Sequence, residues 1–67
     1  MSVAKVTEIT SRSNKSFEDA IQQGLQRASK TIDHLDGAWV KEQKVILDEG
    51  NIKSYQVDLK LTFELRE

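Results

Sequence analysis

The stretch HLDGAWVKEQKV, residues 34–45, carries the only tryptophan of the chain, set between a glycine-bearing turn and a run of charged residues. An indole at such a place has three uses: filling a core, joining subunits, or stacking on a flat ligand. Other chemistry finds little support. There is no cysteine, so thiolate nucleophiles, thiolate metal sites and disulfides are excluded. No serine or threonine stands in a nucleophile motif, the carboxylates are scattered over polar positions, and there is no glycine-rich phosphate loop. The single histidine, His34, falls where a helix is expected to end, and a lone imidazole there favours the negative end of the helix dipole as a surface or capping residue. The residues therefore predict a binding or structural protein and no enzyme.

At 67 residues the chain is read as a single domain, 1–67. A domain this small buries only about 60% of the surface its unfolded chain exposes, so it needs a staple. With disulfides and thiolate zinc excluded, association with further copies is the staple that remains. Ten basic and eleven acidic residues are interspersed along the chain, giving a formal net charge of -1. No basic stripe exists to displace counterions from phosphates, which argues against nucleic acid as a partner. No apolar run approaches the length of a transmembrane helix, and MSVAKVTEIT lacks the continuous apolar stretch of a signal peptide, so the expected residence is cytoplasmic.

Four elements would position these side chains. VAKVTEI, residues 3–9, is β-branched and roughly alternating, which predicts a strand that TSRSNKS then breaks. Ser16 followed by Asp19 resembles a capping box. Ala20, Ile21, Gly24, Leu25, Ala28, Ile32 and Leu35 then recur at three- and four-residue steps, predicting an amphipathic helix of about five turns closed by Gly37. Residues 38–48 and IKSYQVDLKLTFELRE form a hairpin about the turn DEGN, with Gly50 left-handed. From Tyr55 to Arg66 the alternation is unbroken: Tyr55, Val57, Leu59, Leu61, Phe63 and Leu65 share one face. The class is α+β, a β-α-β-β unit with a three-stranded antiparallel sheet partly wrapped around one helix. The other face, with Asp58, Lys60, Glu64 and Arg66, is either solvated or set against another copy.

This order of elements, with SFEDAIQQGLQRA for the helix, HLDGAWVKEQKV for the second strand and YQVDLKLTFEL for the third, resembles the dodecins over nearly the whole chain. The resemblance implies a hollow dodecamer that binds flavin, FMN or riboflavin, in pairs at two-fold clefts and buffers it without turnover. It implies that Gln56 meets the pyrimidine edge of the flavin, for which a carboxamide has both a donor and an acceptor. It places Lys44 where some members put a basic residue near a flavin phosphate, although a strand lysine also serves as a solvated edge guard. It also places Gly37, not Trp39, at the position of the stacking tryptophan. Trp39 is then read either as reaching the same cleft from two residues further on or as a subunit contact, and the alternative to flavin is an assembly that holds another ligand or an ion.

Overall fold

The computed structural model describes residues 2–66. It has the order strand β1 (Val3–Ser13), helix α1 (Phe17–Ser29), strand β2 (Leu35–Asp48), strand β3 (Asn51–Leu65). Met1 and Glu67, the latter the predicted last residue of the hairpin, lie outside the described residues. The three strands make one antiparallel sheet in the order β1-β3-β2, so the chain's most regularly alternating segment is its central strand. The helix lies over β1 and β3.

Helix α1 begins as the sequence predicts. Ser16 is extended, and its hydroxyl accepts the Asp19 N–H at 2.9 Å, which satisfies one of the free donors of the first turn. The Asp19 carboxylate does not complete the reciprocal box; it accepts from Ser13 Oγ and from Gln23 Nε2. This ties the end of β1 to the helix start. The buried positions of the helix are Ala20, Gly24 and Ala28, one every four residues. Their lack of bulk lets the helix axis approach the sheet closely. A Cβ on Gly24 would stand 3.0 Å from Ser11 Cβ and 3.3 Å from Leu59 Cδ1. The core against this stripe is Val57, Leu59 and Leu61 of β3, with Ile9, Phe17, Ile21, Leu25, Ile32 and Leu35 packed around it. Phe17 meets Tyr55 edge to face, with ring centroids 5.1 Å apart.

Two expected boundaries are corrected. Strand β1 does not end at Ile9 but runs on through Thr10, Ser11, Arg12 and Ser13, pairing Ser13 with Tyr55. The small residues Ser11 and Ser13 lie beneath the helix, where a β-branched residue would have no room. The helix ends at Ser29, well short of Gly37, because Lys30 N–H bonds back to the Arg27 carbonyl and the chain turns. Ile32 and Leu35 keep the helical spacing and still pack on the core, but from the connection and from the first residue of β2. The left-handed residue of this connection is His34, at φ 62°, and its carbonyl accepts the Glu64 N–H. Gly37 is a strand residue with no positive φ.

The hairpin turn is as short as a hairpin permits. Asp48 pairs with Asn51, leaving Glu49 at φ 52° and Gly50 at φ 81° as the two central residues. Positive φ at both positions is the type I′ signature, whose twist matches that of the flanking strands. Only Leu35 and Ile46 of β2 are even partly covered. Val40 and Val45 remain exposed, as do Leu47 and Ile52 near the tip of the hairpin. The molecule is drawn out accordingly, 50 × 19 × 13 Å.

Candidate functional site

The sheet face turned away from the helix carries the residues singled out in the sequence. Cross-strand partners share a face, so the register states which side chains meet. Gln56 of β3 has Arg12 of β1 on one side and Lys44 of β2 on the other. The next row holds Thr10, Asp58 and Glu42, and Thr10 Oγ1 donates to Asp58 at 3.0 Å. Further along, Glu8 receives the Lys41 ammonium at 3.3 Å across the central strand, while Thr62 donates to Asp36. Both partners of the Glu8–Lys41 pair are about half exposed, so the pair contributes little to stability and mainly orders the surface.

Gln56 is 8% exposed, which is unusual for a glutamine on an open face. Its burial has an identifiable cause. It occupies the central strand, flanked on both sides, and Arg12 Nε donates to its Oε1 at 2.7 Å. Gln56, Lys44, Glu42, Gln43 and Asp58 line a depression of about 80 Å³. Pockets that hold drug-sized ligands run to roughly 300–1,000 Å³, so one chain supplies part of such a site at most.

Trp39 lies on this face as well, opposite Lys60, and is 61% exposed. It fills no core within the chain. Lys60 is four residues along β3 from Gln56, which is about 13 Å at a rise of about 3.3 Å per residue. The structure thus brings Gln56 and Lys44 together within a chain and leaves Trp39 apart from them. Gly37 pairs with Thr62, still further along, and a Cβ at that position would come within 2.9 Å of Thr62 Oγ1. Any larger residue there requires the Thr62 hydroxyl to shift.

Arg12 is the site residue that the sequence reading passed over, because it lay in the segment taken as a break. The signal was present: Glu8, Thr10 and Arg12 continue the alternation of the first strand, with Ile9, Ser11 and Ser13 on the other face.

What fold and site together define is a small β-α-β-β binding module with an open polar sheet face and an incomplete pocket upon it. A family model described as dodecin matches residues 3–66. Among characterised relatives, a dodecin from Thermus thermophilus is 43% identical over 65 residues, covering 97% of this chain and 94% of that protein. The calcium dodecin of Mycobacterium tuberculosis is 35% identical over 66 residues, covering 98% and 93%. Solved structures agree: dodecin from Streptomyces davaonensis superposes with a TM-score of 0.93 at 36% identity, covering 98% and 97% of the two chains. A tryptophan-to-phenylalanine mutant of the Thermus protein gives 0.92 at 42% identity, with both chains covered in full. This chain belongs to the dodecin family. Its members are non-catalytic binding proteins, and this protein is read as one of them.

Proposed function

We propose that this dodecin binds flavin, as riboflavin or FMN, and buffers it in the cytoplasm within a closed shell of twelve copies. The observation that carries the reading is Gln56: a buried carboxamide held in place on an otherwise open face, beside Lys44. The residues fit half of a flavin site. Gln56 would meet the pyrimidine edge and Lys44 the phosphate of FMN. The small depression supports a second copy supplying the remaining half. Bound flavin would bring its light-driven redox chemistry, which an indole near the ring quenches. On this reading Trp39 meets a second copy, close enough to narrow the cleft, in keeping with its exposure in the single chain. The exposed valines of β2 and the two unpaired sheet edges support the association, since bare strand edges and apolar surface of this kind favour pairing with other copies.

A second reading has its own support. The relative from Mycobacterium tuberculosis is named a calcium dodecin, and a crystal structure of it, described as having a novel calcium-binding site, superposes with a TM-score of 0.83 at 33% identity. Among the described residues here, no three carboxylate or imidazole groups gather as metal ligands, so a calcium site would have to be shared between copies. Flavin is preferred because the Lys44 ammonium beside Gln56 suits a phosphate and repels a cation. Among the described residues no helix is long and apolar enough to cross a membrane.

The test is a titration of riboflavin and of FMN with purified protein, following flavin fluorescence. Quenching with saturation is the expected result. Unchanged fluorescence, with heat released on adding calcium in a calorimeter, would establish the second reading instead.

A further inference from the structure

We propose that Arg12 makes the Gln56 site selective for ring edges that accept hydrogen bonds; the inference rests on the flavin reading and deepens it. A carboxamide has one acceptor oxygen and one donor nitrogen, and it can present either after a half-turn. Arginine has donors only. The Arg12 Nε–H group therefore fixes which end of Gln56 is which: it holds the oxygen, at 2.7 Å, by a charge-assisted bond stronger than a neutral one. Turning the amide over would set its NH₂ group against the Arg12 N–H, donor against donor. What Gln56 offers a ligand is its NH₂ group, with the second lone pair of the oxygen beside it.

The rest of the row points the same way. Lys44, paired with Gln56 from β2, is likewise a donor without acceptor capacity. Arg12, Gln56 and Lys44 thus form one line across three strands that offers N–H groups and positive charge. The carboxylates that line the depression, Glu42 and Asp58, stand one row away, and Asp58 already accepts from Thr10. A ligand at the Gln56 row must bring an acceptor to the NH₂ group. The chemical class is a flat heterocycle whose edge carries carbonyl oxygens, as the pyrimidine edge of flavin does at C2 and C4. An amino group at the same place would set donor against donor and leave both unpaired in a buried site. Both functions of the amide can still meet the ligand, the NH₂ group a ring carbonyl and the second lone pair of the oxygen a ring N–H, but Arg12 fixes their order. Arg12 is a positioning residue, acting through Gln56.

The test uses the intact assembly and three probes: riboflavin and two analogues in which an amino group replaces the C2 or the C4 carbonyl. The wild-type protein should bind riboflavin at least about tenfold more tightly than one of the analogues, the discrimination expected when a buried donor loses its acceptor. In Arg12→Ala, and in Arg12→Met, which keeps an aliphatic stem, the amide is free to turn and the preference should fall to about threefold or less. Equal wild-type affinities for all three probes would overturn the inference without any variant, and so would variants that fold and keep the full preference. Binding of none of the three would end the flavin reading itself, a result distinct from binding without discrimination.

Discussion

Trp39 stands directly opposite Lys60, so its side chain shares the face of Gln56 rather than that of the helix. Two irregularities cancel to give this result. Lys53 is the extra residue of β3 between the Ser54 and Ile52 pairs, and Lys41 is the extra residue of β2 between the Val40 and Glu42 pairs. Each alone would shift the strands by one residue and send every later side chain to the opposite face. Together they return the tryptophan to the register set at the turn.

From that position, Trp39→Ala should weaken assembly more than ligand binding. An indole buried between copies leaves a cavity costing about 3–5 kcal/mol when truncated. The dissociation temperature of the oligomer, measured by light scattering during heating, should fall while riboflavin affinity changes little. A variant that assembles normally and no longer binds flavin would mean that the ring stacks on the ligand.

Gln56→Ala should weaken flavin binding by about 1–3 kcal/mol, since the ring edge loses its buried partner. The oligomer should persist, because Gln56 faces the ligand row. An unaltered titration curve would remove the residue from the site.

Gly24→Ala tests the closeness of helix and sheet. Alanine is the better helix former by about 1 kcal/mol, yet its methyl would meet Ser11 and Leu59 at 3.0–3.3 Å. Overpacking of that kind costs about 1–3 kcal/mol and should prevail, lowering the urea midpoint at fixed protein concentration. A raised midpoint would show that the helix can move away without loss.

Glu49→Asn tests the hairpin turn. Glu49 is a non-glycine residue at φ 52°, where asparagine is far better tolerated, and Asn-Gly is the favoured type I′ pair. The variant should be stabilised by about 0.5–1 kcal/mol, read as a higher midpoint under the same conditions. Destabilisation would mean that the glutamate side chain makes a contact in the assembly.

Which parts of this structure could be read from sequence follows from how each is held. β3 was legible from Tyr55 to Leu65 because a central strand with one buried face must alternate. The start of the helix was legible because Ser16 satisfies a backbone donor that has no other partner. The end of the helix was not, because Ile32 and Leu35 serve the same core from a turn and a strand, and spacing alone does not distinguish them from a further helical turn. Nor was the second half of β1, whose serines are small to admit Gly24, so their polarity imitates a loop. Arg12 was lost along with it, and the orientation of the Gln56 amide could not be deduced without Arg12. The proximity of Lys44 to Gln56 depended on the bulge at Lys53, which no glycine marks.

The near-complete exposure of β2 gives the protein an uneven temper. β1, α1 and β3 hold one another through a shared interior, whereas the outer strand adheres mainly by its ladder, with Leu35 on the core and two surface side-chain contacts, unless neighbouring molecules cover it. Dilution should therefore loosen β2 first, releasing Lys44 while Gln56 and Arg12 remain in place. Cargo would be retained in proportion to how crowded the protein is with its own kind, and a thinning population would let it go before any molecule had unfolded.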